Sequence, residues 1–376
     1  MTRSLRRRNR SLPIISTTIL AVSALALAAC SSGSSSEPSS SSSAPSVASS
    51  SAEAAPSSEP PTEVAATGGK LAMSLGVQNN PFYQTIQCWA TSAAKQRGYE
   101  IEFQAPADFD ATKNNQIAEA LAATKPDGIL IDAVFPDEQK TTIESIIASG
   151  VPVFTYMQEI DIPGQSGNIG PNAPDLGRLG ADEMAKAIGE SGKVFIIDFQ
   201  KGVASTDARY DGFVEQIKKY PNVEVVGVEY TAADTTKAAQ VIAAQLQRNP
   251  DLKGIFGTNL YGVKGAITAL KEAGKLKDMK LIAPDALPEE IDWLKNDEVY
   301  ALIAQKPGAV AASAVFNFID VLNGSKKANS TPVLMPDSFI IMTKDNLTDP
   351  SVSPYIYTGA DCAGVTEEAV AALDIK

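Results

Sequence analysis

The side chains that most often carry out catalysis are scarce in this sequence. None of the 376 residues is histidine, which excludes Ser-His-Asp and Cys-His nucleophile systems and most zinc sites. No GxGxxG turn opens a helix and no GxxxxGK-Ser/Thr loop is present, so we predict no dinucleotide or nucleoside triphosphate site. Acidic neighbours such as Glu289 and Glu290 fall at a predicted helix start, where carboxylates are typical of caps. The sequence therefore favours a binding protein over an enzyme, with no metal and no cofactor.

Two asparagines and two aromatic residues lie side by side in "LGVQNNPFYQTIQCW", where a predicted strand gives way to a predicted helix. Pro81 suits the first turn of that helix. Apolar residues then recur at helical spacing on one face: Phe82, Ile86, Trp89 and Ala93. Tyr83 is rotated by about 100° from Phe82 around the helix axis, so both rings cannot occupy the centre of the buried stripe. At least one of the two rings is expected to face a cleft.

The elements that must position these residues alternate regularly from Lys70 onward. Apolar runs such as "DGILIDAV" and "KVFIIDF" are separated by amphipathic segments of helix length such as "TKNNQIAEALAATK". This alternation indicates an α/β protein whose parallel sheets are covered on both faces. We predict two doubly wound lobes joined by a hinge, with four strands before about Asn168, five after about Gly192, and the Gly- and Pro-rich "GQSGNIGPNAPDLG" as a connection. The ligand cleft should lie between the lobes, beyond the carboxyl ends of the strands.

The N-terminus has the features of an export signal. Five arginines precede the apolar run "LPIISTTILAVSALALAA", and small residues precede Cys30. A transmembrane anchor is the alternative, but the charge-poor stretch from Leu12 to Ala29 barely reaches the roughly 20 residues of a spanning helix. The ending "LAAC" resembles the bacterial lipobox. This implies that residues 1–29 are a lipoprotein signal peptide and that a lipid on Cys30 anchors the protein to the outside of the bacterial cell membrane.

Residues 30–69 are almost entirely Ser, Ala, Pro and Glu. Such a segment cannot bury enough apolar surface to offset its ordering entropy, so we expect a disordered tether. Without residues 1–29, which contain five arginines and no acids, the formal charge falls from -12 to -17. A surface this acidic repels nucleic acid, and the globular part has no basic cluster with interleaved aromatic residues, so nucleic-acid binding is excluded.

Two cysteines remain after Cys30, an even number that allows one disulfide. With Cys30 assigned to the lipid, Cys88 and Cys362 are left in an oxidising compartment. We expect a disulfide between them that pins the C-terminal tail, residues 346–376, to the first lobe and leaves the hinge free. Two unrelated free thiols are the alternative.

A family resemblance rests on the order and spacing of several segments. They are "NNPFYQTI", "KPDGILI", "GVPVFTYM", "ARYDGF", "GIFGTNLYGVKGAITALKEAGK" and "ALIAQKPGAVA". Over roughly residues 70–346 the chain resembles the periplasmic sugar-binding proteins of the ribose-binding kind, which have the periplasmic binding protein-like I fold. The resemblance implies an N-terminal lobe of residues 70–171 and 306–334 and a C-terminal lobe of residues 172–305 and 335–345. It also implies a monomer that binds a small sugar or polyol and delivers it to an ABC permease in the membrane.

Carried over position by position, the resemblance places seven side chains at the ligand. They are Asn80, Phe82, Tyr83 and Asp132 from the first lobe and Asn259, Asp285 and Gln305 from the second. Three residues at positions that depart from the family pattern complete the ten candidates, namely Met157, Gln158 and Arg209. Amides and carboxylates exchange several hydrogen bonds with hydroxyl groups, and aromatic faces cover the apolar C–H surface of a sugar ring. Simpler roles stay open for two of them, since Asn80 could be only a helix N-cap and Phe82 only a core residue.

Departures from the family pattern bear on the ligand. Where ribose and galactose binders have an Asp-Arg pair after the fourth strand, this chain has Met157 and Gln158. In "ASTDARYDGF" the position of a sugar-contacting arginine falls on Asp207, with Arg209 as the nearest substitute, and no second stacking aromatic is found near Ala233. A sugar with fewer hydroxyl groups, a polyol or another small neutral metabolite is consistent with these differences.

The predicted function is that of a lipid-anchored solute-binding protein whose lobes close on a small sugar or polyol and hand it to an ABC importer. One alternative, with the same fold, is a binding protein that passes its closed state to a membrane signalling receptor. The other is a secreted hydrolase that uses carboxylates across the cleft. Recovery of unchanged ligand would separate both kinds of binding protein from the hydrolase.

Overall fold

The computed structural model describes residues 68–329 and 332–373. The predicted signal peptide, Cys30 with its lipid, and most of the predicted tether lie outside the described residues. Within the two described ranges, no helix is both long enough and apolar enough to cross a membrane.

Strands and helices alternate along most of the described chain. The strands are β1 Gly69–Ser74, β2 Tyr99–Gln104, β3 Gly128–Asp132, β4 Val153–Tyr156, β5 Gly167–Gly170, β6 Gly192–Asp198, β7 Val223–Tyr230, β8 Leu252–Gly257, β9 Lys280–Pro284, β10 Ala301–Gln305, β11 Pro332–Leu334 and β12 Phe339–Met342. The helices are α1 Pro81–Gln96, α2 Ala111–Ala123, α3 Pro136–Ala148, α4 Ala173–Ile188, α5 Ala204–Ile217, α6 Thr235–Arg248, α7 Leu260–Glu272, α8 Pro288–Lys295, α9 Pro307–Leu322 and α10 Glu367–Ala371. Four helices, α1, α3, α8 and α9, begin at a proline, whose fixed φ suits the first helical position.

The strands form two six-stranded sheets. The first has the order β11-β5-β4-β3-β1-β2 and is parallel throughout its described strands. The second has the order β12-β10-β9-β8-β6-β7, and of its described strands only the edge strand β12 runs antiparallel. Central strands such as β3 and β10 are buried at every residue because helices cover both faces of each sheet. The predicted α/β fold of two doubly wound lobes is confirmed.

Each sheet separates two apolar layers, as β6 illustrates. Phe195 and Ile197 point to the layer formed with α6, α7 and α8, whereas Val194 and Ile196 point to the layer formed with α4 and α5. In the first lobe, α1 and α9 cover one face and α2 and α3 the other. The alternation of side chains along a strand is what allows one apolar run to serve both layers.

Within the described residues, the chain passes between the two lobes three times before its tail. Residues 171–172 connect β5 to α4, Lys306 connects β10 to α9, and residues 335–338 connect β11 to β12. Helix α4 packs on the second sheet and α9 on the first. Each lobe is therefore assembled from separate pieces of chain, joined by a few residues of the kind that act as hinges.

The sequence pattern missed three strands. β5 falls inside the passage "GQSGNIGPNAPDLG", which was expected to be only a connection, and β11 and β12 each add an edge strand to a sheet. They are four, three and four residues long. Segments this short carry no usable periodicity, and the strands they pair with supply their hydrogen bonds. The predicted count of four and five strands was wrong for this reason.

The C-terminal tail contacts both lobes. Cys88 on α1 and Cys362 in the tail form a disulfide, as predicted. The prediction that the tail stays on the first lobe is wrong, because its apolar residues are divided between the two cores. Val352 and Tyr357 pack in the core of the second lobe, whereas Val370 packs in the core of the first.

Candidate ligand-binding site between the two lobes

A cavity of about 100 Å³ lies between the carboxyl ends of the two sheets. Segments that follow β1 to β4 line it from the first lobe, and segments that follow β6, β8 and β9 line it from the second. This is the edge at which open α/β sheets place their ligands. Seven of the ten predicted side chains belong to the lining, namely Asn80, Phe82, Tyr83, Gln158, Arg209, Asn259 and Asp285.

The other three predicted residues lie behind the lining. Asp132 Oδ2 accepts a hydrogen bond from Tyr83 Oη at 3.0 Å. Gln305 Nε2 donates to Asp285 Oδ1 at 2.5 Å. Met157 is 4% exposed and packs in the core of the first lobe. Asp132 and Gln305 thus support lining residues, while the Met157 side chain does not reach the cavity.

Two asparagines occupy equivalent places on the two sides of the cavity. Asn80 caps α1 by accepting the N–H of Phe82 at 2.8 Å, and Asn259 caps α7 by accepting the N–H of Gly262 at 2.9 Å. Each Oδ1 is therefore used by a helix N-terminus, and each Nδ2 group can donate to a ligand. For Asn80, the cap role that the sequence left open and a place in the cavity lining are both correct.

Asp132 is the deepest acidic group on the first side. It stands at the end of β3 and is 1% exposed. Burial raises the pKa of the Asp132 carboxyl to about 7, although the hydrogen bond from Tyr83 and the nearby amide of Gln158 act in the opposite direction. Close to neutral pH this group can therefore exist as a protonated acid, which donates a hydrogen bond, or as a carboxylate, which only accepts.

Asp285 is the polar centre of the second side. Its Oδ1 accepts hydrogen bonds from Gln305 Nε2 at 2.5 Å and Tyr357 Oη at 2.8 Å, and it lies 3.7 Å from Arg209 Nη2. Arg209 is 7% exposed and donates from Nη1 to the carbonyl of Thr258 at 2.7 Å. All three contacts of the carboxylate go to Oδ1, so Oδ2 is the oxygen that can accept a hydrogen bond from a ligand.

Three residues next to the cavity have a left-handed backbone. Asn79, Met157 and Asp285 have φ values of 54°, 67° and 69°, which cost a non-glycine residue on the order of 1–3 kcal/mol. Met157 and Asp285 come directly after β4 and β9. The sharp turn at Met157 places Gln158 in the cavity while Met157 itself remains in the core.

Aromatic rings from both lobes form one side of the cavity. Phe109 of the first lobe meets Phe199 of the second edge-to-face, with ring centroids 5.3 Å apart. Tyr83 lies 6.3 Å from Phe109, and Tyr261 lies 6.2 Å from Phe199. The four rings form a continuous row across the cleft and offer apolar faces to a ligand.

A second buried carboxyl lies behind this row of rings. Asp198, at the end of β6, is fully buried and accepts hydrogen bonds at Oδ1 from Thr258 Oγ1 and from the N–H of Phe199. Burial raises the pKa of the Asp198 carboxyl to about 6, against the effect of these two hydrogen bonds. Like Asp132, it is therefore more readily protonated than an acid in water.

The aromatic residues of the second lobe were not found from the sequence. Phe199 directly follows β6, and Tyr261 comes two positions after the cap Asn259, just as Phe82 follows Asn80. Applying the strand-end rule to β6 and β8 in full would have identified both. Tyr357 offers no local signal, because 72 residues separate it from its partner Asp285.

Comparison with known proteins assigns the chain to a family. The periplasmic binding protein domain matches residues 71–326, which is more than half of the chain. The chain belongs to the periplasmic binding protein domain family. This membership confirms the resemblance found in the sequence and implies a location outside the cytoplasm.

Individual relatives agree with this assignment. The ribose import binding protein of Bacillus subtilis (strain 168) is 28% identical over 265 residues, which are 70% of this chain and 85% of the relative. The D-allose-binding periplasmic protein of Escherichia coli (strain K12) is 25% identical over 271 residues, 70% of this chain and 87% of the relative. A solved ABC transporter solute-binding protein from Agrobacterium vitis, bound with α-D-tagatopyranose, is 29% identical with a TM-score of 0.73, covering 77% of this chain and 99% of that one.

These relatives are named as sugar-binding proteins and not as enzymes, and with the family match they confirm the prediction of a binding protein rather than an enzyme. They also confirm the periplasmic binding protein type I fold. The family match ends at residue 326, so the tail that contacts both lobes lies outside the matched residues.

Proposed function

We propose that this periplasmic binding protein captures a small neutral sugar or polyol by closure of its two lobes and delivers it to an ABC permease. A lipid on Cys30 would hold it at the outer face of the bacterial membrane. The observation that carries the proposal is the cavity between facing strand ends, where aromatic rings meet hydrogen-bonding side chains from both lobes. Such a mixture suits a ligand with apolar C–H faces and several hydroxyl groups.

The charges around the cavity favour a neutral ligand. Among the residues that the structure describes, Arg209 is the one cationic side chain of the cavity lining, and it is opposed by Asp285 at 3.7 Å. A phosphate or carboxylate group would have to compete with Asp285 for that guanidinium. Hydroxyl groups both donate and accept hydrogen bonds, so they fit a lining that offers the Nδ2 donors of Asn80 and Asn259 and the Oδ2 acceptor of Asp285.

Closure is supported by contacts between the lobes beside the cavity. Phe109 packs against Phe199 at 5.3 Å, and the carbonyl of Val134 accepts the N–H of Ala204 at 3.1 Å. These contacts hold only when the lobes are together. A ligand that bonds to both sides adds to them in the closed state alone, so its binding energy shifts the population toward closure.

Binding of defined sugars to the full exported protein, purified in detergent, tests the proposal. We would measure calorimetric titrations with D-ribose, D-allose, D-tagatose and D-mannitol, and use ribose 5-phosphate as the charged control. Saturable binding of at least one neutral compound is expected, together with its recovery in unchanged form. Binding of ribose 5-phosphate alone, or of none of the five, would contradict the proposed ligand class.

A sensing role is the second candidate, favoured by one relative. The solved XylFII-LytSN complex contains a relative that is 25% identical to this chain, with a TM-score of 0.68, bound to another protein. Uptake of labelled sugar by cells that carry only Asp285→Ala separates the two roles. Loss of uptake is expected for an import protein, whereas normal uptake would favour sensing.

The anchor has a separate test. Replacing Cys30 by serine should release the protein from the membrane, because the contribution of roughly 0.8 kcal/mol for each buried lipid methylene is lost. Fractionation of cells followed by detection of the protein would show this. Membrane association of the variant after its signal has been removed would contradict the lipid anchor.

A further inference from the structure

We propose that the C-terminal tail is part of the ligand-binding site and that Tyr357 is a positioning residue, which orients Asp285 toward the ligand. The proposal rests on the proposed function, because it takes Asp285 to be a ligand contact. The tail lies beyond the family match at residues 71–326. No role for the tail is therefore carried over from the matched domain.

Tyr357 contacts a lining residue from each lobe. Its side chain is 4% exposed, and its Oη donates to Asp285 Oδ1 at 2.8 Å. Its ring stands edge-on to Phe82, with centroids 5.7 Å apart. The N–H of Tyr357 donates to the carbonyl of Ala286 at 3.2 Å, which fixes the backbone of the tail beside Asp285.

The hydroxyl of Tyr357 determines which oxygen of Asp285 faces the cavity. With Gln305 and Tyr357 both donating to Oδ1, rotation of the carboxylate would break two hydrogen bonds. Oδ2 is therefore held in place before the ligand arrives. A preorganised acceptor binds more tightly than a rotating one, because the ligand does not have to supply the ordering free energy.

The segments on either side hold Tyr357 in this position. Before it, Tyr355 Oη donates to the carbonyl of Asp337 at 2.8 Å, and Lys306 Nζ lies 4.4 Å from the centre of the Tyr355 ring. Asp337 and Lys306 belong to two of the three passages between the lobes. The tail is thus fastened to the hinge region just ahead of Tyr357.

After Tyr357, the tail is tied to the first lobe by the disulfide between Cys362 and Cys88. From Tyr357 to Cys362 the backbone can span at most about 17 Å when fully extended, at about 3.4 Å per residue. The tail is therefore a short fourth connection between the lobes. It keeps Tyr357 close to both sides of the cavity.

Two tyrosine-to-phenylalanine variants provide the main test. Tyr357→Phe keeps the ring against Phe82 and removes only the hydroxyl that bonds to Asp285. Tyr220→Phe is the matched control, because it removes a tyrosine hydroxyl that donates to a carboxylate, that of Asp182, away from the cavity and the tail. With the sugar or polyol of the panel that the parent binds best, Tyr357→Phe should bind roughly 5- to 50-fold more weakly. The control should stay within about twofold, and equal affinities of Tyr357→Phe and the parent would overturn the proposal.

A measurement without ligand separates this proposal from the proposed function. Side-chain carboxyl carbons can be observed by 13C NMR, and Asp285→Asn identifies the Asp285 signal. The signal should move in Tyr357→Phe and stay in place in Tyr220→Phe, because only the first loses a donor to that carboxylate. An unmoved signal overturns the positioning role even if sugars bind. A moved signal supports it even if no compound of the panel binds, in which case the proposed ligand class alone has failed.

Discussion

The two sides of the cavity share a backbone plan but differ in how they hold their acidic group. On each side an asparagine caps a helix, and an aromatic residue of the lining follows two positions later, as with Asn80 and Phe82 on the first side. Each side also has a carboxyl group next to the end of a strand. Asp285 is placed against the Arg209 guanidinium, whereas Asp132 accepts a hydrogen bond from the Tyr83 hydroxyl.

This difference shows that two sides with the same backbone arrangement can still differ in the charge of their acidic groups. Burial raises the pKa of Asp132 to about 7, against the opposite effect of the hydrogen bond from Tyr83, so this carboxyl changes its charge close to neutral pH. The second side pairs its carboxylate with a cation and with two further donors. We expect Asp285 on the second side to anchor the ligand. The buried carboxyls of Asp132 on the first side and Asp198 on the second should make the protein sensitive to pH.

The largest expected effect is the contribution of Asp132, on the first side, to the pH dependence of protein stability. The folded-state pKa of Asp132, about 7, lies above the usual value of 3.8, so between these pH values the folded protein holds a proton that the unfolded chain releases. The free energy of unfolding should therefore fall as pH rises from about 4 to about 7, by up to about 4 kcal/mol. Asp132→Asn cannot ionise and should lose this part of the fall, melting at a higher temperature than the parent at pH 8.

Thermal melts of the ligand-free protein between pH 4.5 and 8 measure this effect. Asp161→Asn, which replaces an exposed acid of the same lobe, is the control. Parallel pH profiles for the parent and Asp132→Asn would show that the buried carboxyl does not distinguish the two sides in the way described.

Breaking the disulfide tests whether the tail helps to hold the two sides of the cavity together. Reduction, or replacement of Cys88 and Cys362 by serine, should lower the free energy of unfolding by about 2–4 kcal/mol, since the bond closes a long loop. The double variant should melt at the same temperature with and without reductant. Two alkylatable thiols in the native exported protein would refute the bond.

The second side should show the larger effect on affinity. Asp285→Ala removes the proposed acceptor and leaves a ligand hydroxyl unpaired, at a cost of about 1–3 kcal/mol, or roughly five- to more than a hundredfold in Kd. Calorimetry of this variant beside Asp132→Asn compares the two sides directly. A greater loss of affinity in Asp132→Asn would reverse the assignment of the second side as the anchor.

Substitutions of the two asparagine caps should have the smallest effect on stability. They test whether the asparagines have equivalent roles on the two sides of the cavity. Asn259→Ala should destabilise the protein by about 1 kcal/mol, because the N-terminus of α7 loses its cap. Asn259→Asp keeps a capping oxygen and loses the Nδ2 donor, so it should weaken sugar binding while the melting temperature stays close to that of the parent. Asn80→Asp should behave in the same way. A loss of affinity on one side only would mean that the two asparagines do not have equivalent roles.

Much of the fold and part of the site could be predicted from the sequence. Apolar periodicity identified nine of the twelve strands in the described chain and the parallel α/β class, because long buried strands and helices carry their pattern locally. Seven of the ten predicted site residues line the cavity, among them Asn80 and Asp285. Their contact with a ligand stays a prediction. Counting cysteines was enough to pair Cys88 with Cys362.

What only the tertiary structure decided depends on contacts between distant parts of the chain. Whether Met157 or Gln158 faces the cavity follows from a left-handed turn set by packing. The pKa of Asp132 follows from its burial, and the place of Tyr357 follows from a tail that contacts both lobes and reaches a partner 72 residues away. Local sequence patterns record how one segment folds. Burial, charge and long-range hydrogen bonds arise only when segments meet, and for that reason they could not be predicted from the sequence.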